Sequence, residues 1–286
     1  MVEATESITR LLKDGAHTIN NRVGVNGFAG ELDNAGRTLT NGDGASVSVL
    51  NRYSFSLQDD QGVAHHIHDI RVIPLVDHEG NTFGISFPTK KGATENDLSG
   101  DKKYYETWSR MPDRLSDSEY YPVRRVDPGD GSDPDWKDAG PSQPAPWADD
   151  AREGMLYVHA HGRPEGIEID ANFGDDANPD WQTVGIPGGF FGQLVAANLD
   201  FQSASRAGPN KPLMMLVCEG DAHVQQVAGA IHSAGMNHDV WATVGVNQAR
   251  FTERKGTAEL GAEIPDGGAP SDPITVIRAP NRPPTT

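Results

Sequence analysis

The apolar residues of this chain change rhythm part-way along it. In the first hundred residues they come as β-branched and aromatic runs, "VSVLNRYSFSL" and "IHDIRVIPLVDHEGNTFGISF". The second run is broken by "DHEGN", which reads as a hairpin turn, so this part predicts extended, antiparallel structure. Residues 127–150, "DPGDGSDPDWKDAGPSQPAPWADD", are dense in Pro, Gly, Ser and Asp. Such a stretch buries too little apolar surface to order itself strongly and predicts a linker or cleavable loop.

Beyond it the pattern alternates. "MLYVHAH" reads as a strand, "GIEIDANFG" as a short hairpin piece, and "GGFFGQLVAANL" as a helix with Phe190, Phe191, Leu194 and Val195 on its apolar face. "PLMMLVC" is again a strand, and Val224, Val227, Ala228 and Ile231 then follow the i, i+3, i+4, i+7 spacing of a helix. "HDVWATVGV" and "DPITVIRA" read as strands, and the last residues as a frayed tail. Strand–helix alternation predicts an α/β sandwich with a mainly parallel sheet. The expected division is a β-rich N-terminal region over 1–126, a linker over 127–150, an α/β core over 151–280 and a tail over 281–286.

Charge narrows the partners. With 41 acidic against 24 basic residues and a formal net charge of −17, the surface field repels phosphate backbones and anionic lipid headgroups, so neither nucleic acid nor membrane is an expected partner. No apolar run reaches about 18 residues, and the opening "MVEATESITRLLKDG" has acidic residues where a secretory signal carries a basic flank; a soluble chain without a visible export signal is expected. The single cysteine excludes an internal disulfide framework and a multi-thiolate metal site.

That cysteine, Cys218, closes an apolar strand and precedes a Gly and a helix. Unpaired N–H groups at a helix start favour a thiolate there, while Glu219 and Asp221 oppose it by like charge. A buried structural cysteine fits the same position. His159 and His161 stand two apart on a strand and share a face, and Gly162 permits close backbone approach and leaves an N–H pointing at a substrate. Open α/β sheets bind ligands at the carboxyl ends of strands, where both His161 and Cys218 fall. A satisfied histidine at a sheet edge explains "HG" alone; a strand-end His-Gly followed by a strand-end Cys is more specific, and caspases place the two about 50 residues apart.

"YVHAHG" and "MLVCEGDA" resemble the His-Gly and Cys blocks of the caspase-like (clan CD) cysteine peptidases. More narrowly, "PAPW", "LYVHAHG", "FGQLVAAN", "PLMMLVCEGDA", "VAGAIHSAG" and "DVWATVGV", in that order over about 145–250, resemble the single-cysteine caspase-like domains of actinobacterial polymorphic toxin-type proteins. The resemblance implies a caspase-like three-layer sandwich and a Cys/His dyad. The Cys218 thiolate attacks a peptide carbonyl, His161 protonates the leaving amine, and the N–H groups of Gly162 and Cys218 form the oxyanion hole. No third member, cofactor or metal is assigned, and His159 is expected to support or pack. The pocket is expected from the loop Asn247 to Arg250 with Glu219 or Asp221, favouring a basic residue. The implied substrate is a peptide or protein, including the chain itself in a toxin-type setting. Self-cleavage is expected between about 120 and 150, where "YYPVRRV" offers Arg124 and Arg125. The chain departs from caspases in reading "LVCEG" rather than "QAC" and "RG", and it lacks the calcium ligands and the basic inositol-phosphate patch of some relatives.

Two other readings stay open. "HAH" suits a metal-dependent hydrolase with Asp170, Asp175 or Asp176 as further ligands, and a non-catalytic interaction module needs no chemistry at all. "HHIHD" at 65–69 reads as a solvated edge strand and "DDANPDWQ" as an exposed turn, since it lacks EF-hand spacing.

Overall fold

In the computed structural model the described residues are 39–40, 46–47, 55–58, 64–89, 99–126, 135–264 and 274–280. Most of the first predicted run and the whole 281–286 tail lie outside them. Two short antiparallel pairs come first, β1 (Leu39–Thr40) with β2 (Ser46–Val47) and β3 (Phe55–Gln58) with β4 (Ala64–Ile67). Next are β5 (Asp69–Ile70), β6 (Ile73–Val76) and β7 (Thr82–Phe87). β6 and β7 form the expected hairpin. Its turn is held by the Asp77 carboxylate, which accepts from the N–H groups of Glu79 and Asn81, and by Gly80 at a φ of 93°, where a side chain would be strained.

Helix α1 (Ser99–Ser109) leads into β8 (Asp113–Arg114), a short turn of 3-10 helix, β9 (Glu119–Val126), β10 (Asp135–Asp138) and β11 (Gln143–Pro144). The remainder runs β12 (Leu156–Arg163), β13 (Gly166–Asn172), β14 (Trp181–Ile186), α2 (Gly188–Ala197), α3 (Leu199–Ala207) and β15 (Leu213–Leu216). After these come α4 (Asp221–Ser233), β16 (Val240–Thr243), β17 (Asn247–Thr252), β18 (Thr257–Glu263) and β19 (Ile274–Ile277).

The molecule is mixed α/β, and so is its 9-stranded main sheet. β7, β12, β15 and β16 are parallel neighbours at its centre, with Leu156 opposite Leu213 and His159 opposite both Leu216 and Ser86. The expected parallel sheet is therefore confined to the middle. β6 and β19 flank it antiparallel, and β12 turns straight back into β13 and then β14, because so short a connection permits only antiparallel pairing. A second, 6-stranded sheet combines β8 to β11 with β17 and β18.

Period-two alternation sorts the central strands onto two cores. Leu156, Val158 and Ala160 of β12 and Leu213, Met215 and Val217 around β15 pack with Phe191, Leu194 and Val195 of α2 and Val224, Val227, Ala228 and Ile231 of α4. The intervening positions, Tyr157, Met214, Leu216 and Trp241, pack with Tyr105 and Trp108 of α1, Trp147, and Leu260 and Ala262 of β18. One face of the main sheet thus carries α2 and α4, the other α1 and the second sheet. His159, His161 and Cys218 continue the second series, on the α1 side.

The structure departs from expectation over 127–150. Residues 127–134 lie outside the described part, but 135–150 is no loose linker: β10 and β11 pair with β9, and the Trp147 indole is fully buried with its N–H on the Ser116 carbonyl at 3.0 Å. A polar composition hides Trp136, which pairs with Arg125 of β9, and Trp147, which enters the core. Arg124 and Arg125 likewise sit within β9, opposite Lys137 and Trp136, not in a flexible segment. The N-terminal region contributes strands to the core: β6 and β7 share the main sheet with β12, and β8 and β9 share the second sheet with β18. Among the described residues no helix is long and apolar enough to cross a membrane.

Candidate active site

β12 is apolar and buried until it ends in two histidines. His159 is only 2 % exposed, and its environment answers for that burial: Nδ1 lies 2.8 Å from the Ser86 hydroxyl, and the Tyr105 ring stacks on the imidazole at 3.3 Å and 23°. Both neighbours follow from the fold. Ser86 is its register partner on β7, and Tyr105 projects from α1. The His161 ring meets that of His159 edge-on at 5.4 Å, and its Nε2 lies 3.2 Å from Oδ2 of Asp101.

Asp101 stands in the first turn of α1, where the helix dipole favours an anion, and its Oδ2 also accepts the Thr89 N–H at 3.0 Å. Burial alone would push its carboxyl up, but the hydrogen bond with His161, the two imidazoles and the Thr89 N–H together outweigh this and hold it below the usual carboxylate range. The carboxylate is thus ionised beside His161. Tyr105 behaves oppositely: burial, reinforced by Asp101, Tyr104 and Cys218, pushes its phenol well above the usual range and keeps it neutral. One tyrosine is therefore close to both sides of the site.

Cys218 stands two residues beyond Leu216, the last paired residue of β15. Continuing the β12–β15 register past His159 and Leu216 sets His161 level with Cys218. The strand ends are close there, since a Cβ on Gly162 would lie 2.3 Å from the Cys218 carbonyl oxygen and 2.5 Å from Val217 Cγ1. Gly162 is thus required by the cysteine's own backbone. The Cys218 thiol, half-buried, donates to the Asn247 carbonyl at 3.8 Å. Immediately after it the chain turns sharply through Glu219, which at a φ of 54° is the one non-glycine residue in the left-handed region among the described residues. Its N–H reaches the Gly245 carbonyl at 2.6 Å, and α4 begins at Asp221. The expected placement of the thiol just ahead of a helix is found.

The predicted pocket residues also gather. Asn247 touches the thiol through its carbonyl, is 9 % exposed, and its Nδ2 has no hydrogen-bond partner among the described residues. Burial raises the Glu219 carboxyl, and Asp221, Glu263 and Glu165 raise it further, so the loop carries a concentrated negative field. Arg250, at the far end of the expected loop, is committed to Asp138 and Glu259 instead.

The carboxylates expected to join a metal-binding "HAH" do not. Asp170 is buried and taken by Arg71 at 3.1 Å and by the Thr183 hydroxyl, while Asp175 caps the Ala177 and Asn178 N–H groups of its turn. Asp101 takes their place: one ligand atom from each of Asp101, His159 and His161 lies within 4.8 Å of the others. In "HHIHD", His66 and His68 are exposed and meet edge to face at 4.4 Å, as a solvated edge would allow.

Asp101, Tyr105 and Ser86 were not legible in the sequence. Nothing in "LSGDKKYYETW" points to a histidine 60 positions further on. Compared with protein-family models, with curated proteins and with solved structures, the chain matches none.

Proposed function

We propose that the protein is a cysteine endopeptidase of the caspase-like type, with Cys218 as nucleophile and His161 as the proton carrier. One observation carries this: His161 and Cys218 end adjacent parallel strands on the same face of the sheet, and the imidazole is held by an ionised carboxylate. The layering, with helices on one face and α1 and a second sheet on the other, supports a caspase-like three-layer sandwich.

In the reaction the Cys218 thiolate forms a bond to the peptide carbonyl carbon. The resulting oxyanion is received by the N–H groups of Gly162 and Cys218, and collapse breaks the C–N bond as His161 delivers a proton to the departing amine. Water then attacks the thioester, giving its proton to His161 and releasing the acid. Asp101 stabilises the imidazolium and fixes its orientation. The acidic surroundings of Glu219, Asp221 and Asn247 favour a basic residue before the scissile bond.

Substrates are peptides or proteins, with self-processing of a toxin-type protein as the setting. Residues 119–126 and 135–150 are held in paired strands and core, which disfavours self-cleavage within them; 127–134 lie outside the described residues. A second reading, a metal-dependent hydrolase, draws support from Asp101 standing beside the two histidines.

Profiling the purified protein and its Cys218→Ala and His161→Ala variants against an unbiased peptide library, with a peptidyl-ketone label on the thiol, separates the readings. Loss of cleavage in both variants with selective labelling of Cys218 is expected. Full cleavage by Cys218→Ala removes the cysteine-peptidase assignment. Intact bands on prolonged incubation of wild type with reductant exclude self-cleavage and leave only other chains as substrates.

A further inference from the structure

We propose that Asp101, His159 and His161 bind one divalent transition-metal ion, Zn2+ by the character of the donors, and that the ion silences the site by occupying the imidazole the chemistry needs. The silencing rests on the peptidase reading above; the binding does not.

The donor set is two imidazoles and a carboxylate, the borderline combination that selects zinc over magnesium or calcium. Ligand atoms around a tetrahedral zinc with bonds of about 2.0–2.1 Å stand roughly 3.3 Å apart. Those of Asp101, His159 and His161 already lie within 4.8 Å of one another, so small side-chain rotations close the set. Two of the three ligands, His159 and Asp101, are braced from behind, as metal-binding groups commonly are. Ser86 from β7 anchors Nδ1 of His159 at 2.8 Å and Tyr105 fixes the plane of its ring, while Thr89 anchors the Asp101 carboxylate at 3.0 Å. With Nδ1 held by Ser86, His159 would ligate the ion through Nε2. The His161 side chain is 18 % exposed, which provides an entry path and leaves room for water as a fourth ligand.

One imidazole cannot serve both purposes. Nε2 of His161, which meets Asp101, would be its donor to the ion, and an imidazole so held keeps only its Nδ1 proton and cannot become the imidazolium that protonates the leaving amine. Metal and peptide turnover therefore exclude each other, and Asp101 has two alternative tasks: positioning His161 when the ion is absent, ligating it when present. His159, which the dyad chemistry leaves without a role, gains one.

The test titrates ZnCl2 calorimetrically into chelator-treated full-length wild type and Cys218→Ala, with metal content read by mass spectrometry after gel filtration. One ion per chain is expected in both. Asp101→Asn and His159→Gln should weaken binding at least about 10-fold and Ser86→Ala by about 10-fold, the range seen when ligand supports are removed. In the same samples Zn2+ should abolish peptide cleavage by wild type, and chelator should restore it. Absence of stoichiometric binding by wild type overturns the metal site and leaves the peptidase assignment untouched, a result that needs no variant to fold. Binding unaltered in Asp101→Asn and in His159→Gln overturns the ligand assignment. Cleavage at full rate by the metal-loaded protein overturns the silencing. Hydrolysis that requires Zn2+ and persists in Cys218→Ala overturns the silencing and the cysteine peptidase together.

Discussion

Replacing Gly162 with alanine tests the apposition on which the site depends. The added Cβ meets the Cys218 carbonyl oxygen at 2.3 Å and Val217 Cγ1 at 2.5 Å. Ordinary carbon–oxygen and carbon–carbon contacts need at least about 3.2–3.5 Å, and the first neighbour is backbone, so no rotamer change relieves it. The ends of β12 and β15 must separate by about 1 Å. Overpacking of this kind costs about 1–3 kcal/mol, and for a chain of this size each kcal/mol lowers the melting midpoint by about 2–4 °C. The displacement falls between His161 and Cys218, and under the proposed peptidase function a misplacement of about 1 Å at these groups would cost about 100-fold in rate. Calorimetric melting with the rate of peptide cleavage and thiol labelling measures both effects. Gly229→Ala is the control: Gly229 is exposed within α4 and an added Cβ there meets nothing within 4 Å, so alanine should stabilise by about 0.5–1 kcal/mol. A Gly162→Ala protein that melts within about 1 °C of wild type, by the same scale, and reacts at the wild-type rate would show that the strand ends are not pressed together.

Trp147→Ala should destabilise by about 3–5 kcal/mol in urea unfolding, because a fully buried indole and its hydrogen bond to Ser116 are lost; an unchanged midpoint would restore a loop at 135–150. Arg71→Met leaves the buried Asp170 carboxylate with Thr183 alone and should cost about 3 kcal/mol, largely recovered by Asp170→Asn in the same chain. Burial raises the Asp117 carboxyl despite opposing effects of Arg114, the Tyr157 hydroxyl and Lys211. Between its unfolded and folded pKa values the native state holds more protons, so its contribution is full below the ordinary carboxylate range and lost as pH rises through the raised value. Asp117→Asn should therefore unfold at higher urea than wild type at neutral pH, with the gap closing as pH falls; a variant weaker at pH 7 than at pH 4 relative to wild type would refute the sign.

Strands β12 and β15 and helices α2 and α4 were legible because their apolar spacing is local: one face of a helix or one side of a strand is written in consecutive residues. The positions of His161, Cys218 and Asn247 came with them, since strand ends and the turn after β16 are part of the same pattern. Gly162 was legible as a point of close approach, but its neighbour, the Cys218 carbonyl, belongs to another strand. What failed was non-local. Trp136 and Trp147 sit among prolines and aspartates, and only pairing with β9 and the core turns that composition into structure. Asp101 reaches His161 because α1 packs across the sheet, an event that spacing along the chain does not encode.

The pairing of β9 with β18 has a consequence for the order of events during synthesis. Tyr121 meets Gly261 and Val123 meets Glu263 across the parallel ladder, so the second sheet cannot close until residues far down the chain have emerged. Such long-range pairing forms slowly. Asn247, whose carbonyl receives the thiol, begins the strand that pairs with β18. A nascent chain already bearing His161 and Cys218 therefore still lacks the wall beside the thiol, and if Cys218 is the proposed nucleophile, a ribosome stalled before residue 257 would display it unassembled and inert toward the chain being made.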